Sequence, residues 1–202
     1  MPSIVLYRNA ISGHCHRVEL LLSILGVPYE PVEVDLRAGA QKRPEFLALN
    51  PFGQIPVLKD GDVVLADSNA ILVYLARRYD TSGQWLPTDP VGAARVQRWL
   101  SVAAGPLAFG AAAARRICLL GTPQDLPTAL NIAAGLFRVL DTTLATDRYL
   151  VGQSPTIADL AVYAYTARAP EGRVDLSSYP HVNAWLRRVE ALPGFTPMLK
   201  SG

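Results

Sequence analysis

Cysteine is nearly absent: Cys15 and Cys118 are the only two in 202 residues. That excludes a disulfide-stapled scaffold and fits a reducing cytoplasm. Strong charge of either sign is missing too. A net charge of +2 and no dense Lys/Arg run leave no footprint for nucleic acid. The pairs Arg77-Arg78, Arg115-Arg116 and Arg187-Arg188 read as solvated helix faces. The three histidines have no metal-ligand spacing with cysteine or with each other, so no metal is expected. No apolar run reaches about 18 residues, so no membrane span is expected. The N-terminus, Met1-Pro2-Ser3-Ile4-Val5-Leu6-Tyr7, lacks the layout of a signal peptide. Internal repeats and low-complexity tracts are also missing, apart from the short Ala111–Ala114 run.

What remains is an ordinary folded composition, 50% apolar and 18% charged, long enough for one large domain or two small ones. Ile4 to Tyr7 is continuously apolar, as in a buried parallel strand. Cys15, Val18, Leu21, Leu22 and Leu25 follow at helical spacing, with Gly26 as the stop. Val32, Val34 and Leu36 alternate with Glu33 and Asp35, which predicts a second strand and a right-handed β-α-β unit. A brief helix is expected around Glu45 to Leu49. A strand from Pro56, an Asp60-Gly61 turn and the strand Val63-Val64-Leu65 predict a hairpin. A third helix opens near Asp67 and turns Ile71, Leu72, Leu75 and Tyr79 inward.

From Thr81 to Thr88 the composition shifts to Ser, Gly, Pro and Thr around Trp85, which marks a linker. Beyond it only helices are expected, at roughly 90–118, 124–145, 156–167 and 180–192, the first kinked at Gly105-Pro106. Thr156-Ile157-Ala158-Asp159 reads as a capping box with Asp in place of Glu. The expected fold is therefore an α/β N-terminal domain, residues 1–80, followed by an all-α domain, residues 88–202.

Some of these residues could also carry chemistry. Ser12 stands where a helix N-cap belongs, and Asp67 with Ser68 stands at another such end. A capped helix N-terminus is also a ready anion site. The loop Asn50-Pro51-Phe52-Gly53-Gln54-Ile55 runs into the strand through Pro56. A cis Ile55–Pro56 bond would turn the Ile55 N–H and C=O away from the sheet, free to pair with a bound peptide backbone. Cys15 follows Ser12 as Ser-x-x-Cys. The reactive thiol of a Cys-x-x-Cys pair is the N-terminal one, and here that position is serine, so Cys15 reads as a buried small apolar residue.

Taken in order, these elements resemble the glutathione transferases, a family with a thioredoxin-like domain and a helical domain. Ser12 followed by Arg17-Val18 matches the Ser-x₄-Arg-Val pattern of its serine-type classes. The resemblance implies that Ser12 stabilises the glutathione thiolate. It implies that Gln54, Ile55 and Pro56 meet the γ-glutamyl-cysteine backbone, and that Asp67 and Ser68 hold the γ-glutamyl end. Lys42 would pair with the glycyl carboxylate, although Gln41 stands where some relatives have His. Tyr7 is the rival hydroxyl donor, as in the tyrosine-type classes. Ile11, Leu107, Phe109, Ala112 and Arg115 are candidates for an apolar electrophile pocket between the domains. Phe52 resembles the aromatic that plugs into a partner subunit, which implies a homodimer. The expected activity is conjugation of glutathione, as co-substrate and without another cofactor, to a small apolar electrophile in cytoplasmic detoxification. The alternatives are a glutathione-dependent disulfide or peroxide reductase on the same fold, or a non-catalytic binding or assembly member.

Overall fold

The computed structural model of the protein describes residues 4–200. The outermost ends of the two expected domains, residues 1–3 and 201–202, lie outside them. Four strands, β1 (Ile4–Arg8), β2 (Tyr29–Glu33), β3 (Val57–Asp60) and β4 (Val63–Ala66), form one mixed sheet in the order β2-β1-β3-β4. β1 pairs parallel with β2 and antiparallel with β3, and β3 with β4 make the hairpin turned at Gly61, whose φ is +57°. Helix α1 (Gly13–Ile24) connects β1 to β2, α2 (Pro44–Leu47) precedes β3, and α3 (Ser68–Tyr79) follows β4.

β2 lies about three residues earlier than the alternation of Val32, Val34 and Leu36 suggests. Its register is set by β1, from Ile4↔Tyr29 to Arg8↔Glu33, and β1 ends there. One further bond, Val34 N–H to the Arg8 carbonyl at 2.7 Å, closes the ladder. Pro31 is tolerated because β2 is an edge strand. α1 stops at Leu25, and Gly26 supplies the positive φ of +64° that the chain needs to leave the helix.

Residues 80–89 contain neither helix nor strand. Six helices follow: α4 (Pro90–Ala104), α5 (Pro106–Phe109), α6 (Ala111–Leu120), α7 (Leu126–Leu144), α8 (Ile157–Ala167) and α9 (Pro180–Glu190). The single kinked helix expected over 90–118 is thus three helices. Gly105 breaks it next to Pro106, and Gly110 breaks it again. A side chain at Gly110 would meet the Ala133 backbone of α7 at 2.8 Å, so close helix packing requires glycine there. By length and composition alone, the 31 residues Pro90–Leu120 would suffice to cross a membrane, although no uninterrupted apolar run in them reaches about 18 residues. In the fold that stretch is bent twice and packs Trp99, Leu100, Leu107 and Ala111 into the core.

α8 is the hub. Every residue from Ile157 to Thr166 is buried, as expected of a helix packed on all sides. α1, α3 and α4 all pack against it, so one apolar core runs from the sheet into the helices. Its capping box is complete: Thr156 Oγ1 accepts the Ala158 N–H, and the Asp159 carboxylate accepts the Thr156 N–H at 2.9 Å. The same carboxylate accepts the Leu150 N–H at 3.0 Å and the Trp185 Nε1–H at 2.9 Å. Replacing it strands three buried donors at about 1–3 kcal/mol each. Asp159→Ala should therefore lower unfolding free energy by about 3 kcal/mol or more in urea titration. A loss under about 1 kcal/mol would mean that the helix ends do not depend on this carboxylate.

Candidate functional site

The N-termini of α1 and α3 open onto one cavity of about 330 Å³. Its wall includes Ser12 and His14 from α1, Gln54, Ile55 and Pro56 from the loop before β3, and Asp67 and Ser68 from α3. The Ile55–Pro56 peptide is cis. Ile55 lies outside the ladder, which begins at Val57. Asn50 holds the loop: its Nδ2 donates to the Gln54 carbonyl at 2.7 Å, and its Oδ1 accepts the Phe52 N–H at 3.1 Å.

Ser12 is the N-cap of α1, with Oγ accepting the Cys15 N–H at 3.3 Å. That bond uses the oxygen as an acceptor and leaves the hydroxyl proton to donate elsewhere. Capping and donation into the cavity are therefore compatible. Asp67 caps α3 by accepting the Asn69 and Ala70 N–H groups at 2.9 and 3.0 Å. Its φ of +71° is uncommon for a residue with a side chain. Ser68 is buried; its Oγ accepts from Arg17 Nη1 at 3.3 Å and lies 3.4 Å from His14 Nδ1.

A second cavity of about 330 Å³ adjoins the first and shares Ser12, His14, Leu36, Gln54 and Arg116 with it. Its apolar wall comes from Ile11, Ala108, Phe109, Ala112, Leu119 and Leu120, and Tyr165 of α8 lines it as well. Of the residues expected in an electrophile pocket, Ile11, Phe109, Ala112 and Arg115 line this cavity. Leu107 does not: it is fully buried in the core, because α5 turns the opposite face to the cavity. Arg115 spans the two halves, donating to the Ile11 carbonyl at 3.0 Å and pairing with Glu171 at 2.6 Å.

Lys42 is not among the residues lining either cavity. Its Nζ donates to the Phe52 carbonyl at 3.2 Å, while the neighbouring Gln41 lines the first cavity with a buried Oε1 that has no hydrogen-bond partner. Tyr7 lines neither cavity; its ring meets Phe46 edge-on at 6.2 Å in the small cluster of Val34, Phe46 and Val57. Sequence reasoning gave His14 no role, noted Gln41 only where some relatives have His, read Leu36 as a strand residue and Arg116 as a solvated helix face, and had no signal for Tyr165. Tyr165 is 153 positions from Ser12 in a helix without polar periodicity. The one trace of it is Gly13, where a side chain would meet the Tyr165 ring at 2.8 Å.

Titration in this region is governed by burial. The Cys15 thiol is fully buried and pushed up to about 11, which leaves it protonated and inert at neutral pH. Burial, then Arg17 and Arg116, push His14 down to about 3. Burial pushes His16 down to about 4, against a bond between its Nε2 and the Thr196 carbonyl at 2.8 Å.

A mixed sheet entered through a cis-proline, joined to an all-helical unit that shares its cavity, is the architecture of a two-domain thioredoxin-like protein. The family model for the glutathione S-transferase N-terminal domain matches residues 2–77, and that for the C-terminal domain matches residues 119–193. Glutathione S-transferase 3 of Zea mays is 38% identical, over 96% of this chain and 92% of its own length. Glutathione S-transferase theta-1 of Bos taurus is 32% identical, over 94% and 83%. The crystal structure of a glutathione S-transferase from Pseudomonas fluorescens superposes with a TM-score of 0.91 at 36% identity, covering 98% of this chain and 99% of that one. The chain belongs to the glutathione S-transferase family.

The histidines give the fold an acid limit. Both are neutral when folded and take up protons near the ordinary value of 6.5 once unfolded. Stability should therefore be full above about pH 6.5 and fall as pH drops toward the folded values of about 4 and 3. His16, 4% exposed, should contribute up to about 1.4 kcal/mol per pH unit. His14 contributes less, its ring being partly exposed in the cavity. Urea midpoints at pH 7 and 5 check this, and His16→Gln should remove most of the difference. Equal pH dependence in wild type and His16→Gln would reject the neutral-histidine account.

Proposed function

We propose that this chain is a glutathione transferase of the serine type, in which Ser12 holds glutathione as its thiolate and presents the sulfur to a small apolar electrophile. The observation that carries this reading is the junction at Ser12 of a polar cavity and an adjoining apolar one. Glutathione occupies the first and the electrophile the second. Residues 1–80 form the glutathione-binding domain, and residues 88–202 supply most of the electrophile wall. No cofactor beyond the co-substrate enters the chemistry. The setting is cytoplasmic, in keeping with two free cysteines.

An unperturbed thiol near pKa 8.5 is only a few per cent ionised at neutral pH. Lowering it by about 2 units requires about 2.7 kcal/mol of thiolate stabilisation. The Ser12 hydroxyl and the positive end of α1 are the groups positioned to provide it. Glutathione lies along the Gln54-Ile55-Pro56 backbone. Its γ-glutamyl ammonium meets Asp67 and its α-carboxylate meets Ser68. Gln41 takes the glycyl carboxylate, with Lys42 bracing the loop at Phe52 and contributing long-range charge. The sulfur then adds to the electrophile, which Ile11, Phe109 and Ala112 hold with its reactive carbon toward Ser12. The protein forms no covalent intermediate; positioning and thiolate stabilisation are its contribution. The inert, buried Cys15 and the serine at position 12 disfavour dithiol exchange by the protein itself.

Ser12→Ala should raise the bound thiol's pKa, read by ultraviolet difference spectroscopy, and cut turnover of an aromatic halide about tenfold or more near neutral pH. Tyr7→Phe should change turnover less than twofold. The opposite pattern would move the donor role to Tyr7, and fast glutathione-dependent disulfide reduction without conjugation would favour the reductase.

The functional unit is a homodimer. Phe52 is 78% exposed on the loop beside the cavity. A groove of about 510 Å³ between α4 and α7, walled by Trp99, Val102, Ile132, Leu136 and Val139, is an apolar receptor for it on a second copy. Phe52→Ser should shift sedimentation toward monomer and lower the melting temperature at low protein concentration. An undisturbed dimer would assign Phe52 to its own domain.

A further inference from the structure

The arginine of the Ser-x₄-Arg-Val pattern takes no part in the steps above, yet it stands one hydrogen bond behind the cavity wall. Arg17 is 1% exposed. Its Nη1 donates to Ser68 Oγ at 3.3 Å and to Asn69 Oδ1 at 2.9 Å. Its Nε and Nη2 are buried without a hydrogen-bond partner among the described residues. None of the ion pairs among those residues includes it. A buried cation with no bonded counter-charge is a poor device for stability, since an apolar side chain of similar volume commonly serves as well or better.

Its placement has a consequence for Ser68. A guanidinium only donates, so the Ser68 oxygen must accept. The hydroxyl proton is then directed away from Arg17, toward His14 Nδ1 or into the cavity that Ser68 and His14 both line. Through Asn69, whose Nδ2 donates to the Leu100 carbonyl of α4 at 3.0 Å, the same guanidinium is braced against the helical half.

We propose that Arg17 is the positioning residue for the amino-acid end of glutathione. Its charge aims the Ser68 hydroxyl outward and provides a fixed positive potential that the bound α-carboxylate neutralises. Asp67 lies on the same wall and faces the ammonium group, so the pair recognises a dipolar head. The guanidinium remains charged at neutral pH although burial lowers its proton affinity. This inference rests on glutathione occupying the first cavity.

The test compares glutathione with 4-aminobutyryl-cysteinyl-glycine, which keeps the amino group and lacks the α-carboxylate. Titration calorimetry on wild type, Arg17→Met and Arg17→Lys gives the affinity ratio of the two ligands. Wild type should favour glutathione by about tenfold or more, Arg17→Met should reduce that preference to about twofold or less, and Arg17→Lys should retain most of it. Arg17→Met should melt at or above the wild-type temperature, and kcat at saturating glutathione should stay within a few-fold. Should Arg17→Met fail to fold, Arg17→Gln with the same ligand pair gives the same reading. An unchanged ratio in the uncharged variant, with or without a lower melting temperature, overturns the proposal and leaves Arg17 a packing residue. Failure of wild type to bind glutathione would instead overturn the functional reading on which it rests.

Discussion

Two helices end at the same cavity, both by their N-termini, and the rest of the molecule is arranged to hold them there. Each end presents unpaired N–H groups and partial positive charge. Bringing two together without an intervening anion is unfavourable unless other contacts hold them in place. Here the holding is done by α8, packed against both α1 and α3. The cost of the arrangement is offset by the large core shared between the sheet and the helices. The benefit is a cavity whose two helix ends both favour negative charge.

The side chains that cap the two helices also line the cavity. Ser12 satisfies an N–H of α1 with its oxygen and keeps its proton for the cavity. Asp67 satisfies two N–H groups of α3 from a left-handed backbone position, and such positions cost about 1–3 kcal/mol and persist only where the surroundings impose them. The hydrogen bonds to α3 and the turn out of β4 do so here. A local capping role and a functional role are thus not competing explanations at these positions, because a hydroxyl or carboxylate has more than one hydrogen-bonding site to use.

The apolar cavity is assembled differently. Its wall draws on the loop after β1, on α5 and α6, and on α8, segments more than 150 residues apart. Two glycines make that assembly possible. Gly13 lets the Tyr165 ring approach the first turn of α1, and Gly110 lets the α5–α6 junction meet α7. Arg115 then ties the junction to Ile11 and Glu171. Apolar walls contributed by helices tolerate changes of side chain without loss of the fold, whereas the polar half depends on particular donors at particular atoms.

The order of strands and helices, both helix N-caps, the Asp159 capping box, the burial of Cys15 and the loop through Pro56 were legible in the sequence. Each depends on neighbours a few residues away: periodicity, cap chemistry and turn residues act locally, so a linear reading captures them. Where long-range packing decides, that reading stops. The limits of β2 were set by where β1 ends, and the long helix over 90–118 broke a second time because α7 lies against Gly110. Leu107 turned to the core and Lys42 to a loop carbonyl, while Gln41 and Arg116 took places at the cavity. Tyr165 and the buried Arg17 acquired their positions only when α8 packed between the two halves. Local chemistry specifies which groups a segment offers; which of them meet across 150 residues depends on how the helices fill the shared core.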